Sequence, residues 1–204
     1  SKSGPLFSLR RNNFDKFTLN YFLVTESQYL SFKNILKHNY PFLICGPTGS
    51  GKTTFLATLI KTFCVDERIL CLEHVSEIPK LTPKWVGLVE KAPNLEGVGG
   101  FPLACVLKEA LRLRPDRIII GEIRADEAKI FLQSIDTGHN SIISTMHAGS
   151  ASQAHRRLQM LSGYDDISML IEDVNLHICI LSKHEHHRVV KEILRFENNL
   201  WIRC

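Results

Sequence analysis

Pro41-Phe42-Leu43-Ile44-Cys45-Gly46-Pro47-Thr48-Gly49-Ser50-Gly51-Lys52-Thr53-Thr54 is the stretch on which the fold turns. An apolar run of strand length, Tyr40 to Cys45, leads into Gly46-Pro47-Thr48-Gly49-Ser50-Gly51-Lys52-Thr53, which satisfies G-x-x-x-x-G-K-[ST] at every defined position. From Lys52 to Phe63 the pattern is helical. Strand, glycine-rich turn and helix make a phosphate cradle. The glycines let the loop aim its N–H groups inward where larger side chains block close approach, and the helix amino terminus behind it favours anionic charge. In this reading Lys52 reaches the β- and γ-phosphates of a nucleotide, the Thr53 hydroxyl ligates Mg²⁺, and Thr54 extends the motif.

Working outward, strands alternate with helices. Arg68 to Leu72 reads as a strand that delivers Glu73 just past its end. Leu103 to Leu113 reads as a helix stopped at Arg114-Pro115, because the proline ring disfavours helix at the residue before it. Ile118-Ile119-Ile120 is a β-branched run suited to a strand buried on both faces, with Glu122 beyond its carboxyl end. A helix (Asp126 to Ile135), a strand (Ser141 to Thr145), a helix (Ala151 to Leu161) and a short helix near Ile167 to Asp173 follow. Upstream, Thr25 and Gln28 have capping-box spacing before a helix with Tyr29, Phe32, Ile35 and Leu36 on its apolar face. Ser76 to Gly100, rich in Pro, Gly and charge, reads as a long surface loop, and Asn12 to Lys16 as a polar connection after a short strand at Phe7 to Arg11. The alternation predicts an α/β fold with a mostly parallel sheet flanked by helices. The strand-like Leu176 to Leu181, Arg188 to Phe196 and Leu200 to Ile202 add antiparallel strands at the C-terminal edge. Ligands in such open sheets bind at the carboxyl ends of strands, where Glu73 and Glu122 both fall.

Composition sets outer bounds. In 204 residues, 44% hydrophobic and 23% charged, the chain has enough apolar surface to exclude disorder and fits one domain, or one domain plus an appendage. No apolar run approaches the roughly 18 residues of a spanning helix, and the N-terminus does not read as a signal peptide. The six cysteines include no C-x-x-C pair and mostly sit in apolar stretches, so they read as buried reduced thiols of a reducing cytosol. A net charge of +4 is weak support for a nucleic-acid partner, and no direct one is expected. His184-Glu185-His186-His187, between two strand-like segments, reads as a solvated turn rather than a metal site.

Four segments in one order resemble the type II/type IV secretion traffic ATPases. They are the loop Gly46 to Thr54, the acidic Leu72-Glu73-His74-Val75-Ser76-Glu77, the run Leu111-Arg112-Leu113-Arg114-Pro115-Asp116-Arg117-Ile118-Ile119-Ile120-Gly121-Glu122-Ile123-Arg124, and Thr137-Gly138-His139 with Ser144-Thr145-Met146-His147-Ala148. The resemblance runs from about Thr25 to Ile193. It implies a RecA-like P-loop NTPase that binds ATP and Mg²⁺, with residues 25–204 as motor domain and 1–24 as a remnant strand and linker from a preceding N-terminal domain. Glu122 corresponds to the family's Walker B glutamate, in a family where Gly takes the usual Asp position as Gly121 does. Glu73 corresponds to the acidic-box glutamate and His147 to the histidine box, with His139 in the associated Thr-Gly-His. Base duty between Glu73 and Glu122 stays open. Arg124 is the favoured residue for offsetting phosphate charge, ahead of Arg156, Arg157, Arg10 and Arg11. The family usually has Asp where this chain has His74.

The implied function is Mg²⁺-dependent ATP hydrolysis by a homohexamer at the cytoplasmic face of the inner membrane. Secretion or pilus machinery proteins are its implied partners, and macromolecule transport or pilus assembly its work. The absence of a C-x-x-C…C-x-x-C module argues against the zinc-bearing branch, so no zinc is expected and the reading leans to type IV secretion and conjugation. The competing expectation is an ATP-binding assembly subunit with little hydrolysis of its own, which the change at His74 and the missing domain keep open.

Overall fold

Phe42-Leu43-Ile44-Cys45 is buried at every residue and forms β1 (Phe42–Cys45), a strand covered on both faces. Around it, the computed structural model describes residues 14–22, 24–185 and 187–204. The helices are α1 (Glu26–Lys37), α2 (Lys52–Phe63), α3 (Leu103–Arg112), α4 (Glu127–Asp136), α5 (Ala151–Ser162) and α6 (Ser168–Asp173). The other strands are β2 (Ile69–Glu73), β3 (Trp85–Val89), β4 (Arg117–Ile120), β5 (Ile142–Met146), β6 (His177–His184), β7 (His187–Glu197) and β8 (Leu200–Arg203). They form one sheet in the order β3-β2-β4-β5-β1-β6-β7-β8.

Pairing is parallel from β3 through β6 and antiparallel for β6–β7 and β7–β8. The expected mostly parallel sheet with antiparallel edge strands is therefore present. One detail differs: the first strand of the tail, β6, lies parallel to β1, so the antiparallel edge begins at β7. Between β1 and β4 stands β5, which leaves room between the phosphate loop and the carboxylate after β4. The two-residue period of the strands divides the core. Leu43, Leu70 and Ile118 face α3, α4 and α5, whereas Phe42, Ile44, Cys71 and Ile119 face α1 and α2.

The capping box at α1 forms as its spacing predicts: Gln28 N–H donates to Thr25 Oγ1 at 3.2 Å, and Thr25 N–H to Gln28 Oε1 at 3.0 Å. Cys45, Cys64, Cys71 and Cys179 are buried, and burial pushes the thiols of Cys45 and Cys64 up to about 12. Cys105 and Cys204 depart from that reading and are exposed.

Two expectations need correction. The presumed loop Ser76 to Gly100 contains β3, which pairs along β2 from Ile69↔Trp85 to Glu73↔Val89. Gly87 interrupts its apolar pattern, and at a sheet edge only Trp85 is buried, so neither face shows the usual alternation. The second concerns the entry to the domain. Phe14–Lys16 and Leu19–Phe22 form 3₁₀ turns rather than a polar connection, and Phe14, Leu19 and Phe22 are buried. The Phe22 ring packs edge-on against Phe55 of α2, with centroids 4.8 Å apart. The predicted strand at Phe7 to Arg11, with Arg10 and Arg11, lies outside the described residues.

The Arg114-Pro115-Asp116-Arg117 signature sits at the amino ends of the strands, away from the phosphate loop. Arg114 takes a left-handed backbone (φ 49°) and Asp116 accepts Arg68 N–H at 2.7 Å. Arg117 is 0% exposed. Its guanidinium donates to both Glu67 oxygens (2.6 and 2.9 Å), to Leu36 O (3.0 Å) and to Asn39 Oδ1 (3.0 Å). A buried charge stripped of its partner is strongly destabilising. Glu67→Ala is therefore expected to lower the unfolding free energy by about 3 kcal/mol in chemical denaturation, with a much smaller change for Glu109→Ala on the exposed face of α3.

Candidate functional site

The carboxyl ends of β1, β2, β4 and β5 open onto a cavity of about 640 Å³ lined by the phosphate loop on one side and by Glu73 and Glu122 on the other. On the loop side, Gly49 and Gly51 have φ of 75° and 85°, the left-handed region in which other side chains are strained. A Cβ on Gly46 would lie 2.7 Å from Leu181 O and 2.6 Å from Ser50 Oγ, so the loop's first residue is closed to any larger side chain. Ser50 is fully buried and its Oγ has no hydrogen-bond partner among the described residues. Lys52 is 8% exposed; its Nζ donates to Gly46 O (3.0 Å) and Pro47 O (3.2 Å) and lies 3.4 Å from His147 Nδ1. Thr48, Thr53 and Thr54 line the same cavity. These residues fit a nucleotide polyphosphate: left-handed glycines, an orphaned buried hydroxyl, a lysine and a helix amino terminus share one concavity.

On the opposite side, Glu122 is the hub. Its Oε1 lies 2.9 Å from His147 Nε2, and its Oε2 accepts Arg124 Nε at 2.5 Å. Lys52, His147, Glu122 and Arg124 thus form a continuous polar chain. Burial of the His147 ring, reinforced by Lys52, holds its pKa below the usual histidine range despite Glu122. A neutral ring satisfies both contacts, with Nε2–H donating to Glu122 and Nδ1 accepting from Lys52. Arg157 also lowers His147, which puts it on this side of the domain. Arg156 instead lines a separate groove with His155 and Trp201.

Glu73, 6% exposed at the end of β2, accepts N–H bonds from Glu77 (3.2 Å) and Ile78 (3.1 Å). Burial raises its pKa, and those two N–H groups oppose the rise. A Cβ on Gly121 would stand 3.1 Å from Glu73 Cγ, so a side chain at residue 121 would require Glu73 to give way. β5 fixes this corner, because Ser144 Oγ donates to Ile120 O (2.8 Å), Thr145 Oγ1 to Gly121 O (2.7 Å), and Ile123 N–H to Thr145 O (2.9 Å). Ser144 and Thr145 therefore brace the strand end that carries Glu122, and His147 follows two residues later.

Not every predicted residue converges here. His139 is exposed at the turn between α4 and β5, at the sheet end remote from the cavity. His184 and His187 pair across the β6–β7 hairpin, as a turn requires, while His186 lies outside the described residues. His74 does more than replace a carboxylate. Its Nδ1 lies 2.9 Å from Glu90 Oε2 and its Nε2 3.4 Å from Glu127 Oε1. Glu127 in turn accepts the N–H groups of Arg124 (3.1 Å) and Ala125 (2.9 Å), so His74 links the end of β2 to the segment carrying Arg124. Sequence reasoning missed one cavity residue, Arg188, which no local motif marks.

Comparison with known proteins gives concordant relatives. The family model described as Type II/IV secretion system protein matches residues 3–183. The conjugal transfer protein TrbB of Rhizobium radiobacter is 31% identical over 205 aligned residues, covering 96% of this chain and 61% of that protein. Protein VirB11 of Agrobacterium fabrum is 40% identical over 116 residues, 57% of this chain and 33% of that protein. The chain thus spans less than two thirds of the length of either relative. Among solved structures, the VirB11 ATPase from the Brucella suis type IV secretion system superposes with a TM-score of 0.69 at 25% identity, covering 86% of this chain and 54% of that one.

The raised pKa of Glu73 makes a stability prediction. An acid whose folded pKa exceeds its unfolded value costs stability at pH above both, and the cost fades as pH falls through the folded pKa. Glu73→Gln is expected to melt above the wild type at pH 7, with the gap closing as the pH is lowered toward 4; a gap independent of pH would contradict the buried, ionised carboxylate.

Proposed function

The chain belongs to the Type II/IV secretion system protein family, and on that premise we propose that it hydrolyses ATP as the motor domain of a type IV secretion or conjugation traffic ATPase. Residues 25–204 form the motor, and residues 1–24 are the link to an N-terminal domain. The observation that carries this reading is the facing of Lys52 by two carboxylates, Glu73 and Glu122, across one cavity. Lys52 and the loop amides hold the β- and γ-phosphates, and Thr53 holds Mg²⁺. Mg²⁺ held there would supply charge stabilisation to the phosphate group as negative charge develops on it. Glu122 and Glu73 are the groups that accept a proton from, and orient, the attacking water. Arg124, within hydrogen-bond reach of Glu122, offsets charge on the γ-phosphate, and His147 senses that phosphate through its contacts with Lys52 and Glu122.

In this proposal the working unit is a homohexamer on the cytoplasmic face of the inner membrane, docked on secretion or pilus machinery and coupling turnover to macromolecule transport or pilus assembly. Neither zinc nor direct nucleic-acid binding is part of it. No helix among the described residues is long and apolar enough to cross a membrane. One observation favours a second reading. Both Glu122 oxygens already accept hydrogen bonds, from His147 and from Arg124, so the carboxylate has fewer lone pairs left to orient a water. A subunit that binds ATP and barely hydrolyses it has this character.

Hydrolysis measured with Mg²⁺ over a range of protein concentrations separates the two. A motor with shared sites shows specific activity that climbs with concentration and falls about 100-fold or more in Glu122→Gln. Flat turnover at the level of Glu122→Gln, despite ATP binding, identifies the assembly subunit.

A further inference from the structure

We propose that Arg188 is a nucleotide-binding residue that grips the phosphate chain in the same subunit, positioned by the hydroxyl of Tyr21. The inference rests on the nucleotide reading of the cavity. Arg188 stands at the start of β7, where the β6–β7 hairpin turns back over the phosphate loop. It lines the same cavity as Thr48, Lys52 and Glu122 and is half-buried. Its stem covers Gly51, the residue before Lys52: a Cβ there would lie 3.3 Å from Arg188 Cγ and 3.3 Å from Phe22 Cε1. The missing side chain at Gly51 therefore does two things. It permits a φ of 85°, and it lets an arginine from a distant strand lie against the first turn of α2.

Electrostatics gives the placement its meaning. A helix amino terminus carries partial positive charge, so a cation there is disfavoured. Arg188 and Lys52 bring two cationic side chains to one cavity beside the first turn of α2, where a polyphosphate can be held between them. Arginine suits the task because its planar fork has five N–H donors and meets phosphate oxygens in pairs. Nη1 donates to Tyr21 Oη at 3.2 Å, which fixes the plane of the fork. Tyr21 belongs to the Leu19–Phe22 turn that packs on α2 through Phe22 and Phe55. Tyr21 acts through Arg188 and is a positioning residue.

Calorimetric titration with ADP and, separately, with inorganic tripolyphosphate tests this on the whole chain. Arg188→Ala is expected to weaken both ligands about tenfold, the loss of a charge-assisted hydrogen bond. Arg188→Lys keeps the stem over Gly51 and the charge but loses the fork, so a weakening of about threefold, with unchanged melting temperature, excludes misfolding as the cause. Tyr21→Phe is expected to weaken both ligands about twofold, and only while Arg188 is present. Equal affinities in wild type and Arg188→Ala overturn the proposal. So does an Arg188→Ala defect for ADP with none for tripolyphosphate, which assigns the residue to ribose or base. Wild-type protein that binds neither ligand overturns the nucleotide reading itself, a result visible before any variant is made.

Discussion

The carboxylate of Glu73 needs the space above Gly121, and the rest of the cavity's acidic side is arranged around that need. β2 and β4 are adjacent, so the end of one strand meets the end of the next, with Gly121 N–H donating to Leu72 O at 2.8 Å. With an aspartate at residue 121, two carboxylates would compete for one buried corner, a costly arrangement because like charges in low dielectric oppose each other's ionisation. Glycine resolves the conflict and passes the acidic role to two strands. Glu73 comes from β2 and is buried and backbone-bonded. Glu122 comes from beyond β4 and is tied to His147 and Arg124.

The two ends of the sheet are stabilised by different means. At the amino end, the ion pair of the buried Arg117 with Glu67 is closed off by Leu36 O and Asn39. At the carboxyl end, polar groups line an open concavity, and Ser144 and Thr145 hold the backbone while leaving the charged side chains to face one another across it. The strongest sequence signatures of the family are thus shared between a closed staple and an open site, and His139 stands with the former end.

Legibility followed the range of the interaction. The phosphate loop, the α1 capping box and the buried strands are written in spacings of a few residues, and each formed where it was read. β3 was not legible because an edge strand has only one neighbour to bury against and Gly87 breaks its run. The packing of residues 14–22 was hidden for another reason: its four aromatics, Phe14, Phe17, Tyr21 and Phe22, carry no period in a polar context, and the partner of Phe22, Phe55, belongs to a helix already accounted for. Glu122, Glu73 and His147 could be placed at strand ends, but the contacts of His74 with Glu90 and Glu127, and of Arg188 with Tyr21, join segments far apart in the chain. No local pattern encodes such meetings; only the register of the sheet does.

Phe22 rests on Phe55, which lies one helical turn beyond Lys52. A close-packed aromatic contact has little compliance, so α2 and the Leu19–Phe22 turn travel together as a stiff pair. Lys61 at the far end of α2 holds Phe14 O as well (3.3 Å), so the helix that starts at Lys52 is tied to the incoming segment at two points. The segment that leads into the domain is thereby anchored on the same helix whose first turn seats the phosphates.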